Sequence, residues 1–146
     1  MDRRDFIKSS CVTCAGGIGL SWLLQACTPH KYITNYSLSH NKVIVKKNEF
    51  IVVKNGKTIQ QKFIVIKPET LQFPIAIYST KDNEYKAHLL VCTHQGCEIT
   101  PYETMMVCPC HGAEFSKTGE VTQGPAETNL KSFITTQDNE HIYIQL

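Results

Sequence analysis

Two stretches of this sequence decide how the rest of it is interpreted: CTHQGC at residues 92–97 and CPCHG at residues 108–112. Each stretch contains two cysteines and one histidine, and each histidine follows a cysteine by two or three residues. Four of the seven cysteines in the 146-residue chain therefore lie between positions 92 and 110. Compact groups of thiols and imidazoles of this kind are typical of metal sites built from two loops.

Three donor sets are compatible with these loops. One cysteine and one histidine from each loop could hold a tetrahedral zinc ion, or a [2Fe–2S] cluster in which one iron has histidine ligands. In an exported protein the two remaining cysteines, Cys97 and Cys110, would be expected to pair with each other. Alternatively, all four cysteines bind one metal, although the C-x-C spacing in residues 108–110 seldom lets both sulfurs reach the same ion.

The chain beyond residue 40 predicts strands. Short runs of β-branched and aromatic residues are separated by turn residues, and Asn55-Gly56 is a strong hairpin signal. No segment after Cys27 has a sustained 3.6-residue apolar period, so we expect little helix. We predict an all-β sandwich or barrel over residues 41–146, preceded by a linker at 28–40. The predicted strands are 43–45, 50–53, 63–66, 75–78, 87–91, 105–107, 132–135 and 141–144, with a turn at Asp138-Asn139.

Residues 1–27 resemble a bacterial export signal. Arg3 and Arg4 are the only arginines in the chain, and the uncharged, moderately apolar stretch after them resembles a twin-arginine signal, which exports folded proteins. Residues 24–27 resemble a lipobox, in which cleavage before Cys27 leaves that thiol free for a lipid anchor. The alternative is an uncleaved membrane helix, which three glycines in the stretch weaken. We therefore expect a bacterial protein at the periplasmic face of the cytoplasmic membrane, tethered by its N-terminus.

Together the two loops are similar to those of Rieske proteins, in the disulfide-bearing form found in cytochrome bc complexes and some periplasmic oxidases. The likeness spans residues 90–131 and includes Gly-Pro-Ala at 124–126, which resembles the proline loop that covers the cluster in that family. The resemblance implies one [2Fe–2S] cluster per chain. It also implies a small β-sandwich or barrel into which a two-loop cluster-binding subdomain is inserted, at about residues 90–126.

The resemblance further implies a role for each residue of the loops. The implied ligands are Cys92 and Cys108 on the inner iron and His94 and His111 on the outer iron. The implied disulfide joins Cys97 to Cys110. The residues expected to line the cluster without ligating it are Gly112, Ala113, Phe115, Gly124 and Pro125. No residue is assigned a catalytic role, and we expect the remaining histidines, His30, His40, His88 and His141, to be structural.

Two of the lining positions differ from those of high-potential members of the family. Those members carry a serine after His-Gly and a tyrosine two residues further on, whose hydroxyls hydrogen-bond to cluster sulfur; here the residues are Ala113 and Phe115. Such hydrogen bonds stabilise the reduced cluster, so we expect a low reduction potential that suits menaquinol as donor. In addition, Gln95 stands where cytochrome bc proteins usually carry leucine.

The implied function is that of a one-electron carrier without turnover of its own. The resemblance favours the iron–sulfur subunit of a quinol-oxidising cytochrome bc-type complex, a quinol–cytochrome c reductase, with cytochrome subunits as partners. An alternative is the small electron-transfer subunit of a periplasmic molybdenum oxidase such as arsenite oxidase, and a third is a structural zinc module. A net charge of only +2 gives no basic excess that would favour nucleic acid.

Overall fold

The computed structural model describes residues 32–81 and 83–146, so the predicted export signal, Cys27 and the first part of the predicted linker lie outside the described residues. Within those ranges the chain forms fourteen strands and one 3₁₀ turn, Lys47–Phe50. The strands are β1 (Tyr32–Ile33), β2 (Tyr36–Ser39), β3 (Lys42–Lys46), β4 (Ile51–Lys54), β5 (Lys57–Gln60), β6 (Phe63–Ile66), β7 (Ile75–Ser79), β8 (Tyr85–Leu89), β9 (Thr100–Pro101), β10 (Met105–Val107), β11 (Glu114–Ser116), β12 (Val121–Gln123), β13 (Ser132–Gln137) and β14 (His141–Gln145).

Eight of these strands form one barrel-like sheet in the order β1-β6-β7-β8-β13-β14-β3-β2. All neighbours in it are antiparallel except β1 and β6. A second sheet has the order β12-β11-β10-β9, and β4 and β5 form a separate hairpin. In the described ranges no helix is long and apolar enough to cross a membrane. The prediction of an all-β fold is confirmed.

The four-stranded sheet belongs to an insertion between two neighbouring strands of the barrel. Strands β8 and β13 pair directly, with Phe133 opposite Ala87, although residues 90–131 separate them along the chain. The chain therefore leaves the barrel, builds a subdomain that carries both cysteine-containing stretches, and returns beside the strand it left. We call residues 90–131 the inserted subdomain.

Strands β6 and β7 support both parts of the fold because they are buried on both faces. Ile64 and Ile77 point into the barrel core, whereas Val65 and Ala76 belong to the core of the inserted subdomain. Side chains alternate between the two faces of a strand, so a strand covered on both faces needs an unbroken apolar run. The runs FIVI and IAIY supply it.

Tyr78 links β7 to the inserted subdomain. Its ring is fully buried and lies 5.3 Å from the ring of Phe63, and its hydroxyl donates a hydrogen bond to the carbonyl of Tyr102 at 2.8 Å. Burial raises the pKa of Tyr78, so the hydroxyl stays protonated and remains a donor at any ordinary pH. The bond holds the turn between β9 and β10 against the barrel.

Several predicted boundaries differ from those observed. Within the predicted linker, residues 32–33 form β1 and residues 36–39 form β2. Strand β2 pairs with β3 through a tight turn at His40 and Asn41. Both turn residues have positive φ, 45° and 63°, as a two-residue hairpin turn requires. Without a glycine, that turn carries no strong signal in the sequence.

Two strand ends also shift for reasons of packing. Phe50 was predicted to begin a strand, but it ends the 3₁₀ turn and packs against Tyr85 at 5.2 Å between ring centroids, so β4 begins one residue later. The strand predicted at 87–91 ends at Leu89, because the amide of Leu90 donates to the carbonyl of Pro74 and the chain turns into the inserted subdomain.

Two turns agree with the prediction. Asn55 and Gly56 join β4 to β5 with φ of 52° and 72°. Asp138 begins the turn between β13 and β14, and its carboxylate accepts hydrogen bonds from the Tyr143 hydroxyl and from the amides of Glu140 and His141. These bonds lower the pKa of Asp138 to about 2.

His88 fills the joint between the barrel and the inserted subdomain. The ring is buried; Nε2 donates to the carbonyl of Lys117 at 3.1 Å, and Nδ1 accepts from the Ser132 hydroxyl at 2.9 Å. Burial lowers the pKa of His88 and favours this neutral form. Gly119 lies against the ring, and a Cβ there would sit 2.7 Å from Nδ1. The joint therefore requires a residue without a side chain at 119.

We predict that Gly119→Ala lowers the free energy of unfolding by about 2–4 kcal/mol, because it adds a clash with His88 to the cost of a positive φ. Gly56→Ala is the matched control: its φ is also positive, at 72°, but no atom lies within 4 Å of the added Cβ. It should lose only about 1–2 kcal/mol. Urea unfolding of both variants measures the difference, and equal losses would contradict the packing role assigned to His88.

Candidate metal centre

The two cysteine-containing loops share one backbone design. In loop 1, residues 92–97, the Cys92 amide donates to the carbonyl of Cys97 at 2.8 Å and the Gly96 amide donates to the carbonyl of Cys92 at 2.8 Å. Loop 2, residues 108–113, repeats both bonds at the same offsets, at 2.8 and 3.0 Å. The fifth residue of each loop has a φ near +75°, which explains the glycine there. The first cysteine of each loop, Cys92 or Cys108, therefore has an equivalent backbone environment.

A disulfide between Cys97 and Cys110 joins loop 1 to loop 2, as predicted. It rules out the donor set of four cysteines, because two of the four sulfurs are bonded to each other and are not thiolates. The Cys108 sulfur lies within 4.8 Å of both disulfide sulfurs, so the bridge sits beside the remaining donors.

The four remaining donors form two pairs with different environments. Cys92 and Cys108 are free thiols with 3% and 1% of their surface exposed, and they are close enough to hydrogen-bond to each other. His94 and His111 are exposed, with ring centroids 5.2 Å apart and planes at 87°. The structure thus places a sulfur pair inside the protein and a nitrogen pair at its surface.

This arrangement fits a two-iron cluster better than a single ion. Tetrahedral zinc with Zn–S and Zn–N bonds of ordinary length brings its four donors within roughly 4 Å of one another. Over residues 32–81 and 83–146, the one group of three donors lying mutually within 4.8 Å is Cys97, Cys108 and Cys110, which includes no histidine. Separate sulfur and nitrogen pairs are what a [2Fe–2S] cluster with two cysteines on one iron and two histidines on the other requires.

The sulfur of Cys92 receives opposing electrostatic influences. Burial raises the pKa of the Cys92 thiol, and the neighbouring Cys108 thiol raises it further. Hydrogen bonds from the backbone amides of His94 and Gln95 act in the opposite direction. A metal-bound thiolate at Cys92 would accept hydrogen bonds from these amides. Such hydrogen bonds orient a metal ligand and tune the redox potential of its metal.

The lining residues predicted from the sequence occupy two kinds of position. Ala113 and Phe115 have no exposed surface and share one core with the two free cysteines. Gly112 and the Gly124–Pro125 segment, whose peptide bond is cis, are exposed. The apolar lining therefore lies on the protein side of the centre.

Two hydrogen bonds that sequence reasoning missed attach the loops to the segment around Gly124. Thr93 in loop 1 donates through Oγ1 to the carbonyl of Thr128 at 2.6 Å, and Gln123 donates through Nε2 to the carbonyl of Gly112 in loop 2 at 3.1 Å. The partners of Thr93 and Gln123 lie 35 and 11 residues away, so no local pattern could have identified them.

A small β-barrel whose inserted two-loop subdomain offers two buried thiols and two exposed imidazoles defines an iron–sulfur electron carrier. Residues 49–134 match the family model of the Rieske [2Fe–2S] domain, and the chain belongs to this family. It carries one [2Fe–2S] cluster.

The chain is similar to cytochrome b6-f complex iron–sulfur subunits. It is 37% identical over 73 residues to the subunit of Synechococcus elongatus, a match that covers 44% of this chain and 40% of the relative. It is 35% identical over 57 residues to the subunit of Prochlorococcus marinus (strain MIT 9303), a match that covers 37% of this chain and 32% of that relative. The match thus spans about two fifths or less of the length of these curated relatives.

Solved structures extend the comparison to the fold. The cyanobacterial plasma membrane Rieske protein PetC3 from Synechocystis PCC 6803 superposes with a TM-score of 0.52 at 28% identity, covering 58% of this chain and 87% of that one. The quaternary ammonium Rieske monooxygenase CntA, at 18% identity and a TM-score of 0.53, covers 69% of this chain and 30% of that one, and shares the fold.

We predict that Cys110→Ser lowers the free energy of unfolding by about 3 kcal/mol, because the disulfide closes a loop with a sequence separation of 13 residues in the unfolded chain. Cys97→Ser should lower the free energy of unfolding by the same amount. The double variant should lose no more than either single variant, since each removes the same bond. Denaturant unfolding with cluster absorbance as the signal measures all three free energies. Additive losses, or mass spectrometry that finds Cys97 and Cys110 as free thiols in the oxidised wild type, would contradict the assignment.

Proposed function

We propose that this chain is the iron–sulfur subunit of a quinol-oxidising cytochrome bc-type complex, with the cluster held by Cys92, Cys108, His94 and His111. The observation that supports the proposal is the exposed pair of imidazoles beside the buried pair of thiols. A cluster bound there is insulated on its sulfur side and open to a partner on its histidine side.

The chemistry of quinol oxidation divides between the cofactor and the chain. The cluster supplies a one-electron acceptor. The ring nitrogen that each exposed histidine keeps free of iron can accept a hydrogen bond from a quinol hydroxyl and then its proton. The disulfide and the bonds from Thr93 and Gln123 hold the loops so that these nitrogens keep a fixed direction.

A second candidate is the electron-transfer subunit of a periplasmic molybdenum oxidase. Gln95 favours it, because this residue is exposed beside His94 and presents a polar side chain where an apolar quinol pocket would favour leucine. Purification of the native protein with its neighbours separates the two candidates: b-type haem accompanies the first and molybdenum the second.

We also propose that the chain is exported and attached to the membrane through Cys27, five residues before β1 begins at Tyr32. Cys27→Ser should release the protein into the periplasmic fraction or leave an uncleaved precursor. A mature N-terminus at Met1 would instead support a retained helix.

The ligand assignment predicts the spectrum of the reduced protein. The wild type should show the anisotropic electron-spin resonance signal of a [2Fe–2S] cluster with mixed histidine and cysteine ligation, and His94→Ala or His111→Ala should abolish it. His40→Asn is the control: His40 is exposed with a φ of 45°, which asparagine tolerates, and should leave the signal unchanged. Purified protein that contains zinc and no labile sulfide would contradict the assignment.

We predict a reduction potential well below that of family members with both hydroxyls, because Ala113 and Phe115 offer none. The double variant Ala113→Ser/Phe115→Tyr should raise it. If each new bond favours the reduced form by roughly 1–1.5 kcal/mol, one electron converts this to about 45–65 mV per bond. The pair is then worth on the order of 100 mV.

Protein-film voltammetry measures this shift. Ala87→Ser is the matched control, since Ala87 is a buried alanine in the barrel core, and it should leave the potential unchanged. A wild-type potential already in the high range, or a double variant whose potential does not rise, would contradict the hydrogen-bond argument.

A further inference from the structure

The β4–β5 hairpin exposes an apolar surface outside both cores. All eight of its strand residues are exposed, and Val53 has 72% of its surface accessible. The hairpin forms a sheet of its own, and such isolated two-stranded ribbons are marginally stable in water. Clustered aliphatic side chains on an exposed element indicate a surface that contacts something else.

One face of the hairpin combines aliphatic and cationic side chains. Val52 pairs with Ile59, and Lys54 pairs with Lys57 two positions nearer the tip. Because side chains two residues apart share a face, the two lysines lie directly beyond the two aliphatic residues. The long lysine side chains can extend along an apolar surface while their ammonium groups remain in a polar layer.

A cationic cleft adjoins the base of the hairpin. It has a volume of about 420 Å³ and shares Gln60 with β5. Lys62, Lys81 and Lys117 line it, together with hydroxyl and amide side chains and a single carboxylate, that of Glu103. Among the residues the structure describes, no carboxylate lies within 4 Å of any of these lysines or of the two at the hairpin tip.

The charge of the chain is divided between its parts. Residues 32–89 contain nine lysines and four acidic residues, whereas residues 90–131 contain five glutamates and two lysines. Residues 32–89, which include the hairpin, therefore have a formal charge of +5, and the inserted subdomain has one of −3. Residues 132–146 add two acidic residues and no lysine.

We propose that the β4–β5 hairpin and its adjoining cleft bind an anionic phospholipid surface. The aliphatic residues of the hairpin enter the headgroup region, Lys54 and Lys57 contact lipid phosphates, and the cleft lysines hold a further headgroup. Composition favours lipid over a protein partner: protein interfaces are depleted in lysine and enriched in aromatic residues and arginine, and the hairpin and cleft contain neither aromatic residues nor arginine.

The proposed N-terminal attachment is compatible with this contact. The side chain of Asn35 donates to Glu49 at 2.7 Å, two residues before β4 begins. Asn35 lies eight residues after Cys27, a length that spans at most about 28 Å. A lipid on Cys27 would therefore hold the base of the hairpin close to the membrane, although the lipid contact itself does not depend on the function of the cluster.

A tryptophan placed on the hairpin tests the contact. In the full chain carrying Trp22→Phe, Ile59→Trp, on the face that carries Lys54 and Lys57, should show a blue-shifted emission, quenched by brominated acyl chains, with mixed phosphatidylcholine–phosphatidylglycerol vesicles. The matched control is Ile134→Trp, because Ile134 is 73% exposed on β13 outside the hairpin and cleft, and it should not respond. Equal responses at the two positions, or no response at position 59, would overturn the proposal.

Charge variants test the lysines separately. Lys54→Gln/Lys57→Gln should weaken partition into phosphatidylglycerol-containing vesicles about fivefold per lysine, and Lys62→Gln/Lys81→Gln/Lys117→Gln should weaken it by a similar factor per residue. Lys42→Gln/Lys67→Gln, outside the hairpin and cleft, is the control. The proposal would be overturned if these variants lost no more vesicle affinity than the control, or lost as much affinity for pure phosphatidylcholine. It would also be overturned if Lys54 cross-linked to another subunit and the tryptophan gave no response.

Discussion

The metal centre depends on the burial of β6 and β7 on both of their faces. One face closes the barrel core around Ile64 and Ile77, and the other supplies Val65 and Ala76 to the core of the inserted subdomain. That second core continues to Cys92 and Cys108, so the free thiols are packed against the same strands that close the barrel. A substitution that loosens this shared wall would therefore act on stability and on donor geometry together.

Farther from the barrel, covalent and polar bonds replace apolar packing. Loops 1 and 2 expose most of their residues, and short exposed loops bury too little surface to hold a fixed geometry by the hydrophobic effect alone. The Cys97–Cys110 disulfide joins them, and Thr93 and Gln123 fasten each loop to the 123–128 segment. The result is a gradient from a packed interior at the sulfur donors to a cross-linked, accessible surface at the imidazoles.

The parts of the fold that could be predicted are those with a local cause. The structure of β6, β7 and the Asn55-Gly56 turn follows from a few adjacent residues. The cysteines and histidines of the two loops indicated a metal site, and the family resemblance implied which of them are ligands. Strand β5 was missed because Lys57–Gln60 contains one aliphatic residue, and β2 because its turn lacks glycine. The support from Thr128 was not predictable, since only the folded chain brings it to Thr93.

The apolar packing around the two buried cysteines also affects the reduction potential of a cluster bound there. Reduction adds one negative charge to the cluster, and an apolar surrounding stabilises added charge poorly. Ala113 and Phe115 extend the apolar core to the sulfur side of the site and offer no hydroxyl in compensation. The excess of glutamates in residues 90–131 disfavours the added charge further, although water screens these exposed side chains. Burial, the missing hydroxyl donors and the nearby glutamates therefore act in the same direction, and all three support the low potential proposed above.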